Sequence, residues 1–204
     1  MIYAYFMSGW INSLKSSRSI AAVRSIWWSY SHHARFKNFE GCVVSKWYGA
    51  EMALNEPSLG SGDKPLIWHH DSVPFLQFGL FLHFCADAKW HSIRTFQNDQ
   101  AWGIGVTKPI ECPLWKPENY LVMDGIEVPS IFRAREVAEL PLGKVQSVTV
   151  KKFDSVNIAA VTFQINGCCV DILAGEVYEQ ADGTFIVLSE DESVLVQVDG
   201  KRPV

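Results

Sequence analysis

The chain has 204 residues, of which 48% are apolar, and its formal net charge is −4. This length suits one large domain or two small, closely packed ones, and the apolar content can bury a sizeable core. No segment approaches the roughly 18 uninterrupted apolar residues of a membrane-spanning helix. The composition therefore predicts a soluble globular protein and excludes a helical membrane span.

The cysteines and the N-terminal sequence bear on the compartment. Five cysteines form an odd set without a CxxC pair, and the adjacent Cys168 and Cys169 would point to opposite faces of a strand. Free, mostly buried thiols in a reducing compartment are expected. The N-terminus has no basic region ahead of a continuous apolar run and no small-residue cleavage site, so no signal peptide is expected. These features predict a cytoplasmic protein.

The chain divides into two chemically different halves. All eight tryptophans and all six histidines lie in residues 1–115, which carry ten basic and eight acidic residues, a net charge of +2. Residues 116–204 carry eight basic and fourteen acidic residues, a net charge of −6. Prolines 109, 113 and 117 lie near the change. We expect an aromatic-rich α+β half, 1–115, and an acidic antiparallel β half, 116–204, packed as one compact globule.

Periodicity and turn residues predict the first elements. Residues 16–30 repeat apolar side chains at three- to four-residue spacing, which indicates an amphipathic helix, and residues 42–50 suit a short strand. Residues 57–65 form the clearest loop, because two glycines, two serines and two prolines cluster there. The apolar run 73–86 fits either a buried strand pair broken at Gly79 or a short buried helix.

Two short strands and a short helix are predicted next. Residues 90–96 alternate apolar and polar side chains as a half-buried strand does, and residues 101–106 would return as its partner after a turn at 98–100. Charge pairs at three- and four-residue spacing indicate a short helix at 132–139.

The second half is rich in alternating, β-branched segments. Residues 145–153 and 156–165 have this pattern, and Asn166-Gly167 after them is the strongest short hairpin signal in the chain. Further strands are expected at 168–173, 175–179, 184–188 and 194–198. The predicted fold class is therefore α+β: an N-terminal helix and an aromatic-rich mixed region packed with a C-terminal antiparallel β-meander of about five strands.

Reactive side chains concentrate between Trp68 and His91. A zinc site needs three or four His, Cys or carboxylate ligands that converge at about 2.0–2.3 Å. Neighbouring histidines point apart on a strand, and no HExxH, CxxC or HxH spacing occurs, so surface histidines with His83 in an aromatic core are the favoured arrangement. A small metalloprotein or hydrolase is the alternative, with candidate residues His69, His70, Asp71, His83, Cys85 and His91.

Other catalytic motifs are weak or absent. No GxSxG nucleophile elbow occurs, and Cys85 lies in the most apolar segment, where burial makes a thiol inert. Residues 103–108 resemble the start of a glycine-rich phosphate loop but lack its third glycine, so a strand whose small residues let a backbone or ring pack closely is favoured. No catalytic residue and no cofactor are expected.

The acidic C-terminal third is the main functional signal. No lysine or arginine lies between Lys152 and Lys201, and most of the acids fall at predicted turns or on the polar face of the meander. The hairpin ends should form one negative surface, which would steer basic partners. A solvated face that confers solubility is the alternative. The expected partner-binding residues are Glu176, Tyr178, Glu179, Asp182, Glu190, Asp191 and Glu192.

Two strand–turn–strand segments, 92–106 and 174–198, are similar in sequence to the antitoxin domains of bacterial immunity proteins. This resemblance implies a stoichiometric inhibitor that binds the catalytic domain of a toxin and blocks its active site. Many such toxins are nucleases with basic clefts, which a negative surface would complement. The resulting prediction is a cytoplasmic protein that neutralises a toxin domain by occlusion, without nucleic-acid or membrane partners. A structural or virion-associated oligomer is a second alternative.

Overall fold

A computed structural model describes residues 17–55, 65–98, 101–109, 111, 120–123, 126–154 and 157–203. Within this part of the chain there are one α-helix and eleven strands. The helix, α1, spans Ser17–Lys37. The strands are β1 Val43–Met52, β2 Leu76–Ala86, β3 Lys89–Asn98, β4 Ala101–Val106, β5 Tyr120–Met123, β6 Ile126–Pro129, β7 Phe132–Glu136, β8 Gly143–Lys152, β9 Ile158–Ile165, β10 Cys168–Glu179 and β11 Phe185–Val198.

Six of these strands close into a barrel. They pair in the circular order β1–β2–β11–β10–β9–β8–β1, and every pair is antiparallel. Strands β3 and β4 extend the sheet from β2, while β7 pairs with the end of β1. Strands β5 and β6 form a separate hairpin. Strands from both sides of residue 115 therefore belong to one sheet.

The barrel interior is filled by large side chains that pack against one another. Trp47 of β1 lies against Phe84 of β2, with ring centroids 5.4 Å apart. Phe36 and Phe39, at the end of α1 and just after it, reach Phe163 and Phe84 with centroids 6.3 and 4.8 Å apart. Because these rings enter from the helix side, α1 covers one end of the barrel core.

Helix α1 lies along β4 through a buried histidine. His32 Nδ1 accepts a hydrogen bond from the Val106 amide at 2.9 Å, and burial lowers the pKa of His32 to about 4. A Cβ at Gly105 would lie 2.8 Å from this nitrogen, so only glycine allows the approach. Gly103 packs in the same way against the backbone of Ile158. The expectation that these small residues permit close packing is confirmed.

No helix in the described part of the chain is long and apolar enough to cross a membrane.

The predicted α+β fold class is wrong. The chain is mostly β, and α1 packs on a closed sheet instead of belonging to a balanced helical layer. The apolar run 73–86 contributes one strand, β2, that continues through Gly79 without a helix. Local periodicity could not reveal this, because a strand buried on both faces has the same continuous apolar sequence as a buried helix.

The predicted helix at 132–139 is also wrong, since residues 132–136 form β7. Its arginines meet a partner across the sheet: Arg133 and Arg135 both donate to Glu51 of β1, at 2.7 and 2.6 Å. The Arg135–Glu139 pair forms as well, at 2.8 Å, but across the end of a strand. The tertiary contact with a buried carboxylate outweighs the weak local preference for helix.

The predicted five-strand meander is instead four longer strands, β8 to β11. Segments 168–173 and 175–179 are one strand, and 184–188 joins 194–198 through an irregularity in β11. The register passes from Ala174↔Val194 to Gly175↔Ser189, so the four residues between Ser189 and Val194 have no counterpart on β10. Beyond this bulge the two strands continue as a hairpin, residues 175–189, which we call the arm.

Candidate functional site

The arm leaves the barrel at the end opposite to the one where α1 finishes. Just after α1, the Gly41 amide donates to the Val145 carbonyl at 2.8 Å, and Val145 pairs with Ile165 beside the β9–β10 turn. The arm lies at the far end of β10 from that turn. The two ends of the molecule therefore present different surfaces. All seven predicted partner-binding residues lie on the arm or its bulge, and six of them are acids.

Strand pairing sorts the side chains of the arm onto two faces. Tyr178 pairs with Ile186, and Glu176 with Leu188, so these four residues lie on one face. This face continues the lining of the barrel beyond its rim, and we call it the inner face. Val177, Val187, Glu179 and Phe185 lie on the opposite, outer face.

The inner face exposes large apolar side chains. Tyr178, Ile186 and Leu188 are 37%, 41% and 46% exposed, because the barrel that would cover them has ended. A contiguous apolar surface of this kind, rimmed by polar groups, is typical of an interaction site.

Acids surround this apolar surface at its base. The Tyr178 hydroxyl donates to Asp191 Oδ2 at 3.0 Å. Desolvation, this hydrogen bond and the charges of Glu176, Asp191 and Glu192 raise the pKa of Tyr178 to about 12. The fold therefore brings together four of the seven predicted partner-binding residues: Glu176, Tyr178, Asp191 and Glu192.

The remaining predicted residues lie elsewhere on the arm. Glu179 is on the outer face, and Asp182 closes the hairpin turn by accepting bonds from the Thr184 amide and hydroxyl. Glu190 occupies the bulge with a positive φ of 64°. Even within the cluster Glu176 is buried, and it accepts a hydrogen bond from Ser193 at 3.4 Å. Glu176 therefore lies beneath the exposed surface and is not itself available to a partner.

Part of the outer face of the arm packs against the body, although Val187 on that face is 36% exposed. Val177 packs in a cluster with Leu54, Val73 and Leu195, and its amide donates to Gln77 Oε1 at 2.8 Å. At the base of the arm, Thr95 of β3 donates to the carbonyl of Glu192. These contacts fix the position of the arm, while Tyr178, Ile186 and Leu188 on its inner face stay exposed.

The run of histidines between Trp68 and Ser72 also meets the arm. The ring of His70 lies 4.9 Å from that of Phe185, and its Nδ1 is 2.8 Å from the Ser72 hydroxyl. Trp68 stacks under the guanidinium of Arg133, 4.2 Å from the ring centroid. His69, His70 and Asp71 are exposed. This segment therefore packs as a loop beside the arm.

The candidate metal ligands do not converge. His83 pairs with Ser92 while His91 pairs with Phe84, so the two histidines lie on opposite faces of the β2–β3 pair. Within the described residues, no group of three or more His, Cys, Asp or Glu side chains could hold a metal ion. The local concentration seen in the sequence is therefore separated by the alternation of the strands.

The buried members of that set are packed among rings. His83 stacks on Phe81 with centroids 4.0 Å apart, and burial lowers the pKa of His83 to about 4. His91 lies between the rings of Phe39 and Phe84, and Cys85, which follows Phe84 in sequence, is also buried. An aromatic environment for His83 was expected from the sequence and is confirmed.

Sequence reasoning missed the apolar half of the arm. Ile186 and Leu188 were assigned to a strand without any functional role. The signal that could have found them is the unbroken apolar run Ile186-Val187-Leu188. In a strand, this run places large apolar side chains on both faces, and the neighbouring acids indicate that the hairpin is exposed.

Comparison with protein-family models, with curated proteins and with solved structures finds no match to this chain. The function of this protein is therefore inferred from the geometry of its own residues.

Proposed function

We propose that this protein is a protein-binding module that docks a basic, partly apolar surface of another protein on the inner face of its arm. The observation that carries the proposal is the exposure of Tyr178, Ile186 and Leu188 beside Asp191 and Glu192. Protein interfaces typically combine an aromatic and aliphatic centre with a charged rim. Tyrosine is a favoured anchor because it buries a large area with few rotatable bonds.

The charge of the arm favours a basic partner. No lysine or arginine lies between residues 152 and 201, so no cation of the arm itself offsets its carboxylates. Such a field accelerates the encounter with an oppositely charged protein and disfavours pairing of two identical arms through this face. The partner is therefore expected to be a different protein.

The backbone of the arm supports binding of an extended segment. The Gln180 amide donates to the Thr184 carbonyl, and the alternation of an antiparallel ladder then points the amide and carbonyl of Val187 away from β10. On that side, the described part of β11 pairs with β2 only through Val194–Val196. A partner strand can add to this edge, with its main chain bonded to Val187.

The specific form of this proposal is an antitoxin. The resemblance of residues 92–106 and 174–198 to immunity proteins implies it, and an acidic, apolar arm is the physical complement of a basic catalytic cleft. In this form the arm occludes the cleft of a toxin domain at a one-to-one ratio.

Charge reversal on the arm tests the binding surface. The double variant Asp191→Lys/Glu192→Lys changes the net charge by +4, and so does the control Glu111→Lys/Glu136→Lys, which alters exposed acids away from the arm. Each protein is used to capture partners from an extract of the source cell, and bound polypeptides are quantified by mass spectrometry. We expect one polypeptide with the wild type and the control that is lost with the arm variant.

The affinity of that polypeptide is then measured by calorimetry at low and high salt. We expect the wild-type affinity to fall with salt and the dependence to flatten in the arm variant. Equal recovery of the same polypeptides by both doubles would contradict the proposal.

The antitoxin form has its own test. The captured polypeptide is expressed alone and together with this chain in a heterologous host, and growth is recorded. Arrested growth that co-expression restores supports an antitoxin. Normal growth with the polypeptide alone removes the antitoxin form and leaves the binding module.

A further inference from the structure

A cavity of about 310 Å³ lies at the opposite end of the molecule from the arm. It is formed where α1 ends, where β2 turns into β3 and where β4 ends. Its wall includes the cations Arg35, Lys89 and Lys108, the carboxylate of Asp87, and the rings of Phe39 and His91. Its size falls at the lower end of the range for small-molecule sites.

The cavity carries a net positive charge. Three cations and one carboxylate give a net charge of +2 when His91 is neutral. The carboxylate is already engaged, because Asp87 Oδ1 accepts the Val43 amide at 2.9 Å and the side chain also bonds the Cys42 thiol. Arg35 uses one nitrogen, Nη1, for the Val106 carbonyl at 3.3 Å. Lys89 and Lys108 are exposed, and in the described residues neither forms a salt bridge.

His91 adds a mostly buried aromatic ring to this wall. The residue is only 9% exposed, and its ring lies 4.7 Å from that of Phe39. The two rings give the wall an aromatic part, against which the body of a ligand can pack.

We propose that this cavity binds the phosphate monoester group of a small dissolved metabolite that carries an apolar or aromatic body. A phosphate monoester has a charge of about −1.5 to −2 at neutral pH, which matches the net charge of +2. Lysine and arginine are the usual phosphate-binding side chains. Phe39, Ala86 and Pro109 supply an apolar wall for the body of the ligand.

The site is a binding site without a reactive group. Cys42 also lines the cavity, but burial and the neighbouring Asp87 raise the pKa of its thiol. A nucleophilic cysteine needs the opposite shift. The proposal is independent of the arm, because the two surfaces share no residue.

Calorimetric titration with phenyl phosphate tests the site, with the ionic strength held constant by chloride. The test variant is Lys89→Ala/Lys108→Ala, and the control Lys46→Ala/Lys151→Ala removes two exposed lysines outside the cavity. We expect saturable one-site binding to the wild type and the control. The test variant should bind at least about tenfold more weakly, because two charge-assisted contacts are lost.

Two further measurements complete the experiment. Circular dichroism and thermal melting verify that both doubles remain folded, as expected for exposed lysines. Co-sedimentation with phosphatidylcholine vesicles containing phosphatidic acid separates a lipid headgroup from a dissolved ligand. No saturable binding of phenyl phosphate, equal weakening by both doubles, or binding to the vesicles without binding of phenyl phosphate would each overturn the proposal.

Discussion

The Tyr178 hydroxyl donates to Asp191 Oδ2 at 3.0 Å, which joins β10 to the bulge of β11 at the base of the arm. Asp191 can reach the ring because residues 190–193 leave the β10–β11 ladder. The bulge therefore holds an acid beside an exposed aromatic side chain, and the arm presents an aromatic and acidic surface instead of a plain strand.

The first prediction concerns this contact. Replacing Asp191 with Asn removes both a charged acceptor and a nearby negative charge, so the pKa of Tyr178 should fall from about 12 towards its usual value. Ultraviolet difference titration measures it within the pH range where circular dichroism is unchanged, and Tyr178→Phe identifies the signal. Asp182→Asn, in the turn, is the control and should leave the titration unchanged. An identical Tyr178 titration in wild type and Asp191→Asn would show that the contact is absent in solution.

The second prediction compares the two faces of the arm. Val177 is buried on the outer face, so Val177→Ala should lower the free energy of unfolding by about 1–2 kcal/mol. Ile186 is 41% exposed on the inner face, and Ile186→Ala should change stability by less than about 0.5 kcal/mol. Urea unfolding of both variants measures the difference. Equal losses would mean that the inner face is covered within the monomer.

The third prediction concerns the buried carboxylate of Glu51. It pairs with arginines of β7, the segment that was expected to be a helix. Glu51 is 1% exposed and takes ion pairs from Arg133 and Arg135 at 2.7 and 2.6 Å. Glu51→Gln removes the charge partner of Arg133 and one of the two partners of Arg135, which keeps its pair with Glu139. Since Arg133 is half exposed, we expect a loss of about 2–4 kcal/mol in unfolding free energy.

The matched control is Glu136→Gln. Glu136 is exposed and its pair with Lys46 is long, at 3.7 Å, so the loss of this pair should cost less than about 1 kcal/mol. Chemical denaturation of both variants tests the contrast, and similar effects would argue against a structural role for the Glu51 ion pairs.

The fourth prediction is a dependence of stability on acid. Burial and Arg94 lower the pKa of His83 to about 4, and His32 is lowered to about 4 as well. The unfolded chain, with a histidine pKa near 6.5, binds more protons between pH 6.5 and 4. The free energy of unfolding should therefore fall as pH decreases through this window, by up to about 1.4 kcal/mol per pH unit for each histidine.

Burial lowers the pKa of His91 as well, and His83→Phe isolates the contribution of one of these histidines. Phenylalanine keeps the stack on Phe81 and cannot titrate, so the slope between pH 6.5 and 4 should become shallower. Denaturant unfolding at several pH values measures the slope, with the values above pH 7 serving as the reference for any change in packing. A slope equal to that of the wild type would mean that His83 is protonated without cost in the folded protein.

Local sequence predicted the elements that local chemistry controls. The strand at 101–106 is found with those bounds, and Asn166-Gly167 forms the predicted turn with φ values of 51° and 85°. Positive φ suits Asn and Gly at low steric cost, so the residues themselves select this turn. The helix was predicted at 16–30 and extends to Lys37, because its last turns are stabilised by burial of Phe36 in the barrel.

The sequence also identified the acidic C-terminal third, because charge composition is independent of fold. Tertiary structure decided the rest. Closure of the barrel requires β2 to pair with β11, whose residues are more than a hundred positions apart, and no local pattern encodes that distance. The same closure fixes where the barrel ends, and that rim determines that Ile186 and Leu188 are exposed and Glu176 is buried. Alternation along each strand places His83 and His91 on different faces although they are close in sequence. The bulge of β11, in contrast, brings Asp191 to Tyr178 from the neighbouring strand.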